Sequence, residues 1–196
     1  EGDPFLLIEG MAIAAMAVGA DQGLVYVRSE YPLAIRAFGR ALEIARAGGL
    51  LGPAFDIQLR VGAGAYVCGE ETALLESLEG KRGQVRAKPP LPAHSGLFGQ
   101  PTLVNNVLTF AAVPFVLAEG PVAYSNLGCG RSKGTAVIQL AGDVKHGGLF
   151  ETPFGVTLGD LVDDIAGGSE SGRPIRAVQV GGPLGAYFPR SMFDAP

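Results

Sequence analysis

Apolar side chains run almost unbroken from Phe5 to Ala20, with Pro4 at the place where a first helical residue accepts proline. LLIEGMAIAAMAVGA therefore predicts a helix buried on most sides. Gly23 to Arg28 (GLVYVR) predicts a short buried strand. From Tyr31 to Ala47 apolar positions recur at helical spacing. Leu33, Ile35, Phe38, Leu42 and Ile44 form one face, Arg36, Arg40, Glu43 and Arg46 the other, and Gly48-Gly49 stops the helix. Phe55 to Val61 alternates, with Phe55, Ile57, Leu59 and Val61 on one face of a strand. That strand runs directly into Gly62-Ala-Gly-Ala-Tyr66, and a helix is expected to begin near Gly69, which makes a strand–turn–helix.

The stretch from Gly80 to Thr102 is rich in proline and glycine and has no period. A loop of that length inside a compact domain is usually functional or disordered. Thr102 is expected to cap a helix over Asn105 to Glu119, interrupted near Pro114. A linker is expected over 121–133, so the α/β unit spans 1–120 and a smaller unit spans 134–196. In the latter, Thr135–Ala141, Gly148–Thr152 and Arg176–Gly181 read as strands, and Thr157 caps LGDLVDDIA, a helix ended by Gly167-Gly168. A β-β-α-β order predicts a small β-grasp-like unit.

Composition narrows the function classes. Of 196 residues 47% are hydrophobic and 17% charged, enough apolar material for a core. The net charge of −4 carries no acidic or basic block, which points away from nucleic acid and membrane surfaces as partners. Thirty glycines are about twice the usual share of roughly 7%, and they cluster at turns between apolar runs. Cys68 and Cys129 stand far apart without a C-x-x-C, so metal or iron–sulfur ligation by this chain is not expected, and a reducing compartment fits. The opening Glu1-Gly2-Asp3-Pro4 lacks a basic segment of the signal-peptide kind, and Glu9-Gly10 breaks the apolar run too early for a membrane span. Because the first residue is not methionine, the sequence reads as a piece of a longer protein.

Candidate chemistry collects in Gly62 to Gly83, GAGAYVCGEETALLESLEGKRG. A turn between strand and helix presents free N–H groups that suit phosphate or flavin oxygens; equally, it is a plain tight turn. Gly62-x-Gly64 begins a dinucleotide fingerprint, but Val67 stands where the third glycine belongs. Glu70 and Glu71 open the helix, where one carboxylate meets the helix dipole to advantage. At about 100° per residue the pair cannot serve one task on one face, so one is free for a ligand while the other caps or pairs. Lys81, Arg82, Arg86 and Lys88 are either a solvated basic loop or cations for a nucleotide phosphate, and Lys88, restricted by Pro89-Pro90, is the strongest candidate. Of Asn105 and Asn106, capping explains one and leaves the other for a ligand's polar edge. His94 and His146 stand alone as loop residues, and Cys68 reads as packing.

Three segments carry a family resemblance: GAGAYVCGEETALLESLEGKRG, KPPLPAHSGLFGQPTLVNNV and the opening DPFLLIEGMAIAA. Together they resemble the NADH-oxidising flavoprotein subunit of respiratory complex I (51 kDa type). The same module occurs in NAD-reducing hydrogenases and in NAD-linked formate dehydrogenases. The resemblance implies an FMN-binding α/β domain that is not a classical Rossmann fold, followed from Gly134 to Gly185 by a β-grasp (SLBB) domain. It implies that FMN exchanges hydride with NAD(H) and that electrons leave to iron–sulfur clusters on partner subunits in the cytoplasm. By motif, Tyr66, Gly69, Glu70 and Glu71 would line the flavin and nicotinamide pocket, Val104, Asn105 and Asn106 would contact FMN, and Glu71 and Lys88 would hold NADH. No side chain is assigned as catalytic, since the flavin carries the chemistry.

The chain also departs from the family pattern. A GRGGAGFPTG-type flavin loop, the acidic Asn-x-Asp-Glu segment after it and a C-x-x-C-x-x-C cluster motif are not among these residues. The resemblance thus implies the middle of a subunit, with half of a flavin site. Leu91 and Leu108 replace the Phe and Glu usual in complex I versions, and with VQVGGPLGAYFP they point to the formate dehydrogenase β-subunit or hydrogenase diaphorase branch. Two functions stay open: an FMN-dependent NADH oxidoreductase module, and a non-catalytic structural piece whose β-grasp unit serves docking.

Overall fold

The computed structural model describes residues 2–194 and divides into two units, Glu1–Phe115 and Val116–Pro196. The first opens with α1 (Pro4–Val18), started by the Asp3 carboxylate, which accepts from the N–H groups of Phe5 and Leu6 at 3.1 Å each. Strand β1 (Gln22–Arg28), helix α2 (Pro32–Ala47) and strand β2 (Asp56–Gly62) follow as a β-α-β unit. The two strands pair in parallel from Gln22↔Asp56 to Arg28↔Gly62. Parallel pairing requires a crossover, and α2 supplies it.

The core of this unit is one cluster: Leu7, Ile8 and Met11 of α1, Val25 of β1, Phe38, Ala41, Leu42 and Ala45 of α2, then Leu51 and Ile57. Burying each large aliphatic or aromatic side chain here contributes about 1.5–3 kcal/mol. Alanines at 41 and 45 keep the inward face of α2 shallow enough to lie close to the sheet. The expected α2 face is thereby corrected: Leu33 and Ile44 are exposed, because the real contact stripe runs through Phe38, Ala41, Leu42 and Ala45. The expectation that α1 is buried on most sides also fails toward its C-terminus, where Met16 is 86% exposed and Val18 is exposed too. Gly48-Gly49 ends α2 as expected, with Gly49 at φ 75°. Gly10 lies where α1 meets the backbone of Phe110, and a Cβ there would come within 2.7 Å of the Phe110 carbonyl carbon.

A 3-10 turn (Tyr66–Gly69) and helix α3 (Glu71–Leu78) follow β2. Helix α4 (Val107–Asn126) crosses the division between the units. The Asn106 carboxamide oxygen accepts from the Leu108 N–H at 2.9 Å, so Asn106 caps α4. Thr102 does not cap it; its hydroxyl accepts from Leu97 N–H and donates to the Gln100 carbonyl, both at 2.9 Å, and so closes the loop before the helix. The break in α4 falls at Gly120 (φ 88°, ψ 159°), and the helix runs through Pro114. By length and composition α4 could cross a membrane, but a broken turn in its middle frees backbone groups that lipid would leave unpaired.

In the second unit β3 (Gly128–Cys129) pairs with β4 (Ser132–Lys133), β5 (Thr135–Leu140) with β6 (Gly148–Pro153), and β7 (Ala177–Val180) with β8 (Ala186–Pro189), each antiparallel. These are three separate two-stranded ladders, and β8 is a strand beyond the expected β-β-α-β order. The short helix is there, helical from Leu158 and widening to π-type turns over Asp160–Ile165, and Thr157 caps its start as expected. Asp160 N–H donates to the Thr157 hydroxyl and Thr157 N–H to the Asp160 carboxylate, 3.0 Å each. Among the described residues this unit buries few: Gly134, Thr152, Leu161, Val162, Ala166 and Phe193.

Candidate functional site

At the C-terminal ends of the parallel strands, β1 turns at Ser29-Glu30 and β2 at Gly62–Ala65. Gly64 takes φ 87°, a conformation that favours glycine, and the Glu30 carboxylate lies beside it. Among the described residues the Gly64 and Ala65 N–H groups donate to no protein acceptor. This is the end of a parallel sheet where α/β proteins seat ligands, and unpaired amides there fit phosphate or flavin oxygens. Next to the turn Tyr66 stands out, 88% exposed, while Cys68 packs inside. The Tyr26 hydroxyl bonds to Ser77 at 2.9 Å beneath the turn.

The tandem glutamates behave differently from the expectation. Glu70 is the N-cap of α3, not a helical residue: its backbone is extended (φ −79°, ψ 137°), and its Oε2 accepts from the N–H groups of Thr72 and Ala73 at 2.9 Å and from the Thr72 hydroxyl at 2.5 Å. The 100° separation of helical neighbours therefore does not apply to this pair. Both carboxylates meet one cation, Lys88, whose Nζ lies 3.4 Å from Glu70 Oε1 and pairs with Glu71 Oε1. Neither glutamate is left without a partner. The Thr72 hydroxyl, helped by the Ala73 amide and Lys88, holds the Glu70 carboxyl below the usual carboxylate range. Glu71, and after it Glu70, pushes the Lys88 ammonium up. The cluster is about one-third exposed, open enough for a ligand to exchange with its internal pairs.

Arg86 is no solvated loop residue. Its guanidinium pairs with Glu76, bonds Glu79 at 2.8 Å and donates to the Gly96 carbonyl at 3.0 Å. Its backbone N–H donates to the Thr72 hydroxyl at 2.9 Å. Glu79, whose side chain is only 6% exposed, also accepts from Lys81 and from the Phe98 N–H, both at 2.8 Å. Lys81, Arg86 and the Phe98 amide together hold its carboxyl down to about 2. The segment 81–102 is thus an ordered strap tied to α3, and it delivers Lys88 to the glutamates.

Val104, Asn105 and Asn106 sit at the head of α4 in the same unit. Asn105 and Asn106 are exposed, and among the described residues no hydrogen bond holds the Asn105 side chain. No hydrogen bond or ion pair joins them to the Glu70–Lys88 cluster among the described residues. Gly69 lies exposed in the turn before Glu70. Sequence reasoning missed Thr72, Glu76 and Glu79, and it weighed Arg86 as a solvated or phosphate-binding cation without these internal partners. The available signal was Glu76 and Glu79 one turn apart at the end of α3, followed by a basic segment able to fold back on them.

Comparison with known proteins agrees with this architecture. The family model of the Nuo51 FMN-binding domain (Complex1_51K) matches residues 1–115, which contain every candidate site residue. The NADP-reducing hydrogenase subunit HndC of Solidesulfovibrio fructosivorans is 50% identical over 99% of this chain and 41% of its own length. The F 2 subunit of the NADH-quinone oxidoreductase of Rhizobium meliloti is 45% identical over 99% of this chain and 48% of its own length. The structure of an NAD+-reducing [NiFe]-hydrogenase in the H2-reduced state superimposes with a TM-score of 0.82 at 41% identity, covering 97% of this chain and 33% of the other. The chain thus spans less than half the length of these relatives. With an α/β unit of this build and a family match over more than half its residues, the chain belongs to the Complex1_51K family, that of the Nuo51 FMN-binding domain.

Proposed function

We propose that this chain is part of an NADH/NAD oxidoreductase module that binds FMN and NAD(H) and passes electrons to iron–sulfur subunits. The observation that carries the proposal is the family match over residues 1–115. When bound, the flavin supplies the hydride chemistry, and the protein supplies orientation and electrostatics. The Gly64 and Ala65 amides would meet anionic oxygens of the flavin nucleotide, and Tyr66, Gly69, Glu70 and Glu71 would line the flavin and nicotinamide pocket. Val104, Asn105 and Asn106 would contact FMN. Lys88 would release its carboxylates to meet nucleotide phosphate, with Glu71 then free for the NADH side.

A cytoplasmic complex of the hydrogenase or complex I kind would be its setting, and residues 134–196 would form the β-grasp (SLBB) domain. The main test uses the full-length parent. The Glu71→Gln, Lys88→Ala double substitution is expected to weaken NADH use with the fold and flavin absorbance intact. Unchanged NADH kinetics would remove both residues from the site. A colourless parent that neither takes up FMN nor oxidises NADH would leave the structural, docking role in its place.

A further inference from the structure

We propose that Thr72 is a positioning residue that locks the 81–102 strap to the glutamate cluster and so sets the affinity for the nicotinamide nucleotide; this rests on the NAD(H)-binding function proposed above. Thr72 is 2% exposed, in the first turn of α3. A hydroxyl there has one proton and two lone pairs. The Glu70 carboxylate can only accept, so Thr72 donates to it at 2.5 Å. The Arg86 N–H can only donate, so Thr72 accepts from it at 2.9 Å. The polarity of the relay is fixed from both ends. One buried atom thereby joins the N-cap of α3 to the strap two residues before Lys88.

Glu70 Oε2 takes three donors, two amides and this hydroxyl, which turns Oε1 toward Lys88. The carboxylate and the ammonium meet in register because the same hydroxyl holds both segments. The Thr72 hydroxyl does not bond Lys88; it acts through Glu70 and Arg86. A group that only sets where Lys88 and Glu71 stand affects nucleotide binding in ground and transition states alike, so its loss appears in KM and not in kcat.

The test uses the intact parent enzyme, with NADH as substrate and ferricyanide as acceptor, and hydrogen exchange of peptides covering 81–102 by mass spectrometry. Thr72→Val keeps the shape and deletes the hydroxyl. It is expected to raise the NADH KM about tenfold, as for a lost hydrogen bond to a charged group, to leave kcat within about twofold, and to speed exchange in the strap. Thr72→Ser keeps the hydroxyl and is expected to restore both. If Thr72→Val yields enzyme without flavin, Thr72→Ala carries the same expectations. Lys88→Ala in the same assay separates the two ideas. If it raises KM while Thr72→Val leaves KM and exchange unchanged, the relay is wrong and the NAD(H) site stands. A fall in kcat at constant KM in Thr72→Val also overturns the relay. An unchanged KM in Lys88→Ala overturns the nucleotide function of the cluster, and the relay's effect on affinity with it.

Discussion

Around α3, Glu70, Glu71, Lys88, Arg86 and Glu79 all hold partners supplied by the chain itself, whereas at the head of α4 Asn106 makes a single cap bond and Asn105 makes none among the described residues. The two regions lie in the same unit, and each carries candidate residues. They would meet a ligand in opposite ways. At the α3 cluster a ligand must displace ion pairs already made, so what counts is the difference between partners, and salt and charge will tune it. At the α4 head a ligand gains a hydrogen bond where only water competes. A preformed charged cluster sets orientation and selectivity; an open amide adds affinity at little structural cost.

That contrast can be broken by experiment, most forcefully at Arg86. Arg86→Ala leaves the largely buried carboxylates of Glu76 and Glu79 without their shared guanidinium and is expected to cost about 3 kcal/mol in urea unfolding. Arg86→Lys should recover little, because one ammonium cannot span Glu76, Glu79 and the Gly96 carbonyl. Next is Glu79→Gln, expected to cost about 2 kcal/mol at neutral pH. Glu79 has its carboxyl held at about 2 against an ordinary 4.5, so its stabilisation is complete above about 4.5 and is lost as pH falls toward 2. Acid unfolding of Glu79→Gln should therefore show a shallower loss over that window than the parent. Asn106→Ala removes the α4 cap and should cost about 1 kcal/mol, with faster amide exchange confined to the first turn after it. Asn105→Ala should change stability by less than about 0.5 kcal/mol while weakening FMN retention. If Asn105→Ala destabilised the unit as much as Arg86→Ala, the division between a tied and an open region would be false.

Much of the first unit was legible because its elements follow simple periods. β1, α2 and β2 lie where alternation and helical spacing put them, and Ile57 is fully buried on the expected strand face, whose last member, Val61, is exposed where β2 runs into the turn. Errors arose where a side chain's partner is remote. Thr102 has the chemistry of a cap, but the nearest free amide in space is Leu97, five residues back across a turn. Glu70 and Glu71 were separated by helical geometry, yet the helix starts between them, and a cap residue obeys no helical angle. Arg86 read as either a solvated cation or a phosphate ligand because a basic loop carries no period, and only the fold reveals that Glu76 and Glu79 wait at the end of the adjacent helix. The apolar stripe on α2 misled for another reason: alanine carries little weight in a hydrophobic pattern, although Ala41 and Ala45 make the close contact.

The missing side chain at Gly10 has a consequence for the Asn pair. Helix α1 touches the Phe110 carbonyl with nothing between the two backbones, so the distance from α1 to the head of α4 is set by a hydrogen atom. Gly10 works as a spacer of the smallest available thickness. Any thicker spacer would lever the first turn of α4 outward and carry Asn105 and Asn106 with it. The reach of those two amides is therefore gauged from near the start of the chain, at a helix that carries none of the candidate site residues.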